Sequence, residues 1–154
     1  MKPEGGDNMK LNYDCIRDSL LCIESIDTII EDESGEIFCQ EITLNDLVDA
    51  MKKKKKKYSK KEIYYTLIML CQAGYIDISE DWADDSLNNC CVNSLTFTGH
   101  KFLDTIRDNK VWHFTKGILS KFASVSVPMI ENIAGQVITN LVNQYILQNP
   151  YGTI

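Results

Sequence analysis

From Asn12 onward, apolar residues recur at helical spacing. Ile16, Leu20, Ile23 and Ile30 share one face, and Asn12 supplies the side-chain oxygen that caps such a helix. The acidic cluster Glu31, Asp32, Glu33 and the pair Ser34-Gly35 are expected to end it. The run EIFCQEI (36–42) reads as a short strand. Thr43 then caps a second helix, with Leu44, Leu47, Val48 and Met51 on its inner face. Ser59 and Glu62 form a capping-box pattern for a third helix. Its buried stripe is Ile63, Leu67 and Leu70, and Gly74 is placed to stop it in the left-handed conformation. Lys61, Tyr65, Ile68 and Gln72 lie on the opposite face.

Alternation takes over after Gly74. Ile76 and Ile78 alternate with Asp77 and Ser79, the acidic stretch ADDSLNN (83–89) makes a turn, and CVNSLTF (91–97) returns through Leu95 and Phe97. Helical spacing resumes at Phe102, Leu103 and Ile106, with a break expected at Asp108-Asn109. Val111, Thr115, Ile118 and Phe122 form the next stripe. After a link at 124–127, Pro128 suits the first turn of a last helix. That helix carries apolar pairs every four residues, from Met129/Ile130 to Tyr145/Ile146, and no charge beyond Glu131.

Helix, strand, helix, basic turn, helix and hairpin is the order of a winged helix-turn-helix. The expected class is α+β, mainly α: a winged helix-turn-helix domain at 11–108 followed by C-terminal helices at 109–148. Residues 1–10, rich in Pro, Gly and polar side chains, are expected to be a disordered extension. Leu95, Thr96 and Gly99 match a Leu-Thr-x-x-Gly turn that resembles multiple-antibiotic-resistance-regulator-like winged helices.

Charge sharpens this picture. The net charge is -6, yet residues 52–61 hold eight lysines and no acid. The eight remaining bases face 22 acids, which leaves -14 for the rest of the chain. A basic knob sits on an acidic body. The chain is 44% hydrophobic, enough for a real core. The polar N-terminus shows no signal-peptide pattern, so a cytoplasmic location with reduced thiols is expected. Cys15 and Cys22 lie about 10 Å apart by helical rise, too far for a disulfide. Adjacent Cys90 and Cys91, with only His100 and His113 nearby, lack the paired spacing of a zinc site. No metal or other cofactor is expected. The two histidines have no partner motif, and no phosphate-binding glycine loop, nucleophile elbow or HExxH occurs. The chain is read as non-enzymatic.

Four stretches carry a family resemblance: MKLNYDCIRDSLLCIE (9–24), YSKKEIYYTLIMLCQAGYI (58–76), VNSLTFTGHKFLDTIRDNKVW (92–112) and TKGILSKFASVSV (115–127). Together they resemble the family called domain of unknown function 2513, which occurs in bacteria and their phages. The resemblance implies a compact winged-helix-like protein of phage or mobile-element type. The family carries no assigned activity, so it supplies no catalytic or binding residue.

Double-stranded DNA is the first partner expected. Lys53, Lys54 and Lys55 would meet phosphates, while Lys60, Lys61, Tyr64 and Tyr65 at the start of the third helix would lie nearest the bases, with Ile68 and Gln72 farther along. Asp84 and Asp85 at the wing tip oppose this reading, as does the lack of an Arg, Asn or early Gln for base readout. The alternative is a host or phage protein as partner, because Tyr64, Tyr65 and Ile68 are ordinary interface residues. A homodimer is expected through Ile130, Ile133, Val137, Ile138, Leu141, Val142 and Tyr145, unless that helix docks on its own domain. Lys121, Glu131 and the Asn and Gln residues exclude a membrane-spanning segment there.

Overall fold

In a computed structural model of the chain, residues 10–152 are described. The expected N-terminal extension therefore lies outside the described residues, apart from Lys10. The architecture is α+β and mainly helical, in two compact units that meet in sequence at Thr96 and Phe97.

The first unit begins with helix α1, Tyr13–Ser25, capped by the Asn12 side-chain oxygen Oδ1, which accepts from the Cys15 N–H at 3.2 Å. A small hairpin follows, strand β1 at Ile29–Glu31 paired with β2 at Ile37–Cys39. Strand β3, Ile42–Thr43, leads into helix α2, Leu44–Lys53. Thr43 and Asp46 form a reciprocal capping box, each side chain accepting from the other's backbone N–H at 3.1 and 3.0 Å. Helix α3, Lys60–Gln72, is followed by strands β4, Ile76–Ala83, and β5, Ser86–Leu95. The three-stranded antiparallel sheet runs β3-β5-β4, with Ile42 opposite Val92 and Ile76 opposite Leu95.

The core of this unit comes from the predicted stripes. Ile16, Leu20 and Ile23 of α1, Leu47 and Met51 of α2, and Ile63, Leu67 and Leu70 of α3 are all buried. Burying each large apolar side chain contributes roughly 1.5–3 kcal/mol, so these three helices hold one another in place.

Two expectations fail at the end of α1. The helix stops at Ser25, and Ile30 lies in the hairpin, 42% exposed. Local chemistry explains the stop. The Asp27 carboxylate accepts from the Ile29 N–H at 3.0 Å, and the β-branched pair Ile29-Ile30 favours strand. Asp32 then ties the turn by accepting from Ser34 N–H, Ser34 Oγ–H and Glu36 N–H, at 2.8, 2.6 and 3.0 Å. Those hydrogen bonds hold its carboxyl below the usual range. Gly35, at φ +83°, completes the turn. The acidic cluster read as a helix end is thus a hairpin tip. The single strand expected at 36–42 divides in two, β2 pairing with β1 and β3 with β5.

The hairpin expected between Gly74 and Phe97 is present, with its tip at Asp84-Asp85, where Asp84 adopts φ +54°. Strand β5 ends at Leu95, however, and Phe97 opens a helix with 86% exposure. Thr96 makes the switch: its N–H donates to Tyr75 O at 3.1 Å and its hydroxyl to Gly74 O at 2.6 Å.

The second unit holds helices α4, Phe97–Ile106, α5, Asn109–Leu119, and α6, Val127–Gln148. Asp108 caps α5 by accepting from the Val111 N–H at 2.9 Å. The division between the two compact units falls at 96/97, and α4 packs on α5 and α6. The stripe of α5 is also rotated from expectation. Val111, Trp112, Thr115 and Leu119 are buried, while Ile118 and Phe122 are exposed. In α6, Ile130, Ala134 and Val137 are buried within the chain.

Candidate nucleic-acid interface

The lysine run begins inside α2, where Lys52 and Lys53 make the last turn and suit the negative end of the helix dipole. Lys54 is the C-cap. Lys55 adopts φ +59°, its N–H donating to Lys52 O at 3.0 Å, and the Lys56 N–H donates to Met51 O at 2.9 Å. This pair of bonds is the Schellman stop, with a lysine at the left-handed position where glycine is cheapest. A non-glycine residue held there costs on the order of 1 kcal/mol.

The turn is also anchored from outside. Asp18 of α1, only 8% exposed, lies 3.3 Å from Lys56 Nζ and accepts from the Tyr58 hydroxyl at 2.7 Å. Burial first, and the bond to Asp18 second, push the Tyr58 phenol far above its ordinary range. Ser59 Oγ accepts from the Glu62 N–H at 3.1 Å and starts α3. The second half of the expected capping box gives way to a longer tie, in which Glu62 accepts from the Asn12 amide at 3.0 Å. Two residues of the α1 segment, Asn12 and Asp18, thus fix the path from α2 to α3.

The result is a turn tied at both ends that presents its lysines to water. Lys52–Lys57, Lys60 and Lys61 are all exposed. Of these, Lys56 is engaged by Asp18 and Lys54 lies beside the Cys22 thiol; Lys53 and Lys55 belong to the end of α2 and its stop, and Lys60 and Lys61 to the first turn of α3. Tyr65 and Ile68 are half-buried along the same helix. Gln72 is exposed but closes the helix, about 18 Å of helical rise from Lys60, so it does not join the basic cluster. Tyr64 turns toward the hairpin, donating to the Glu80 carboxylate, which also accepts from the Trp82 indole N–H at 3.1 Å. Burial and Glu80 together raise the Tyr64 phenol well above its usual range.

The hairpin flank has the opposite sign. Asp77, Glu80, Asp81, Asp84 and Asp85 are exposed along β4 and its tip. Beside Lys60, a cleft of about 130 Å³ is lined by Leu44, Asn45, Leu87, Asn88, Asn89 and Cys90. It offers amides, and one lysine supplies its charge. His100 and His113 are both exposed, and among the described residues no group of three His, Cys, Asp or Glu is placed to hold a metal ion. The six cysteines are free thiols. Burial pushes the Cys15 and Cys22 thiols up and the Cys90 thiol up to about 11, which suits packing and not nucleophilic attack. Among the described residues no helix is long and apolar enough to cross a membrane.

Sequence reasoning missed Asp18 as the anchor, and the signal was faint: an acid flanked by Ile16, Ser19 and Leu20 on an otherwise apolar helix side. The exposed residues of the first hairpin, Ile29, Ile30, Ile37 and Phe38, were missed because Ile30 was placed in a helix.

Taken together, the fold and this surface define a mainly helical α+β protein carrying a fixed basic turn on an acidic body. The chain belongs to the family described as "Hypothetical protein (DUF2513)", which matches residues 10–126. That match spans both units and ends at Ser126, the N-cap of α6. No curated protein and no solved structure matches the chain.

Proposed function

We propose that the first unit is a winged helix-turn-helix that binds double-stranded DNA through the α2–α3 turn, as a non-enzymatic regulator of phage or mobile-element type acting in the cytoplasm. In this reading β4 and β5 are the wing and β3 is the third strand of the sheet. The observation that carries the reading is the fixed lysine turn. A fold gains nothing from eight clustered like charges, and Lys55 occupies a backbone position that glycine would fill at lower cost. A polyanion rewards both features. Lys53, Lys54, Lys55, Lys60 and Lys61 would neutralise phosphates and release their counterions, which supplies sequence-independent affinity. The acidic wing turns away from the duplex in this mode, so contact is made by the turn and the first part of α3.

The test is a salt titration. Wild-type protein should bind a duplex at about 50 mM salt, with affinity falling steeply as salt rises. Replacing Lys53, Lys54 and Lys55 with Gln should reduce the slope of log affinity against log salt by about two to three units, whatever the duplex sequence. No binding at low salt, or a slope unchanged by the triple replacement, overturns the reading.

A second reading, a host or phage protein as partner, is favoured by one observation. Ile29, Ile30, Ile37 and Phe38 are exposed on a two-stranded ribbon beside an acidic tip, a surface that nucleic acid does not reward. Affinity capture with and without nuclease separates the two readings: a partner retained after nuclease treatment supports the protein reading.

A further inference from the structure

We propose that the β1–β2 hairpin is a strand-addition site. Its occupant is an extended segment of a partner protein, carrying Lys or Arg among apolar residues, which pairs with the outer edge of β2 at Ile37–Cys39. This deepens the reading of a protein partner and rests on it, and it does not depend on the DNA reading.

Backbone bonding selects the edge. The Gln40 N–H donates to Thr28 O at 2.8 Å and the Asp32 N–H to Glu36 O at 3.0 Å. Opposite residues of an antiparallel pair alternate between bonded and non-bonded, so Ile30 and Phe38 are the bonded pair between these two. Ile29 and Glu31 of β1, and Ile37 and Cys39 of β2, therefore turn their backbone groups outward. On β1 the Asp27 carboxylate already accepts from the Ile29 N–H at 3.0 Å. On β2 neither outward N–H, of Ile37 or of Cys39, meets an acceptor among the described residues. β2 thus offers two donors and two acceptors in register to an incoming strand.

The ribbon gains little by itself. Ile29 and Ile37 are 61% and 65% exposed on one face, and Ile30 and Phe38 are 42% and 48% exposed on the other. A two-stranded ribbon with no buried face is marginal in water, and a third strand supplies both hydrogen bonds and cover. Charge selects that strand. Residues 27–41 hold six acids and no base. Asp27 and Asp32 tie the hairpin's own turns, and Glu41 hydrogen-bonds the Cys91 thiol. Glu31, Glu33 and Glu36 stand exposed at the tip. A second copy of the ribbon would set six acids against six, and nucleic acid would meet the same repulsion. A segment with Lys or Arg beside its apolar residues meets opposite charge together with the open edge.

The probe is a synthetic peptide, Lys-Val-Lys-Val-Lys-Val-Lys, added to the full chain. Binding is followed by anisotropy of the labelled peptide and by amide hydrogen exchange. At about 1 mM peptide or less, exchange at Ile37 and Cys39 should slow, while exchange in the lysine turn stays unchanged. A peptide with Pro in place of each Val keeps the charge and loses the pairing N–H groups, and it should give no protection. The variant E31Q/E33Q/E36Q should weaken the first peptide about tenfold at low salt. Ile37→Pro removes one outward N–H and should abolish binding, while the Asp32 and Gln40 amides keep their protection. The charge variant leaves the backbone untouched, so it decides the matter should Ile37→Pro open the hairpin. No protection at Ile37 and Cys39 at about 1 mM peptide overturns the proposal. So does equal binding of the Pro peptide, or binding unchanged in E31Q/E33Q/E36Q. All these variants should keep the wild-type salt slope on a duplex, so failure here leaves the DNA reading standing. A protein captured after nuclease treatment equally by wild type and by Ile37→Pro would keep the partner reading and overturn strand addition.

Discussion

α2 and α3 end in the same way and with different residues. Each stops in a Schellman motif, the N–H of Lys56 reaching Met51 O and the N–H of Tyr75 reaching Leu70 O, both at 2.9 Å. The left-handed residue is Lys55 at φ +59° in the first and Gly74 at φ +81° in the second. Gly74 is the residue the backbone asks for, and Lys55 is not. The backbone explains one stop completely, and something other than the backbone must explain the other. The surroundings differ accordingly. The Gly74 carbonyl is tied inward by the Thr96 hydroxyl, while the Lys55 stop is held from α1 by Asp18 and opens onto water.

Exchanging residues between the two stops tests that contrast most directly. Gly74→Lys should destabilise the protein by roughly 1–2 kcal/mol in urea unfolding, through backbone strain alone, since nothing lies within 4 Å of an added Cβ. It should add nothing to DNA affinity, because α3 ends far from the basic cluster. Asp18→Asn should cost about 1 kcal/mol, since the charge-assisted contact with Lys56 is lost while Tyr58 keeps an acceptor. The salt slope should not fall, because Lys56 is then released toward phosphate. A large drop in DNA binding would mean instead that the anchored geometry of the turn matters more than its charge. Lys55→Gly should raise stability by about 0.5–1 kcal/mol and reduce the salt slope by about one unit. If Lys55→Gly destabilises the protein, the lysine has a role within the fold and the contrast between the two stops fails.

The smallest expected effect is alkaline. Tyr58 is raised above the ordinary phenol value of 10.0 by burial and by Asp18, so the unfolded chain loses its phenol proton first. Its contribution to stability is complete below pH 10 and is lost as pH rises beyond it. The buried thiols Cys15, Cys22 and Cys90, raised from 9.0, act in the same direction from about one unit lower. Urea midpoints should therefore hold level up to about pH 8 and fall from pH 9 upward. Tyr58→Phe should flatten the upper part of that fall.

What the sequence made legible was local. Thr43 and Ser59 sit three residues before the N–H groups they cap, and Gly74 sits one past the C-cap Ala73, so short spacing marks these ends. The apolar stripes of α2 and α3 and the β4–β5 hairpin follow the same logic. The illegible parts depend on distance in sequence or on competing local signals. Asp18 meets Tyr58 forty residues away, and nothing near either residue announces it. Ile30 continued a helical spacing by coincidence, while the Asx turn at Asp27 and the turn at Asp32 decided the outcome. On α5, Ile118 and Leu119 are neighbours that both fit an apolar stripe, and only packing chose Leu119. The lysines of the candidate site were plain in the sequence, but the ties that hold their turn were not.

The β1–β2 hairpin has a practical consequence. All six of its strand residues are exposed, and among the described residues both outer edges of the ribbon lack a neighbouring strand. Open edges beside Ile29, Ile37 and Phe38 are a template for runaway strand addition, with only the acidic tip as a gatekeeper. At high protein concentration this ribbon is where precipitation should begin. A single lysine in place of Ile37 should delay it, because a charge on the edge repels the next strand before it can pair.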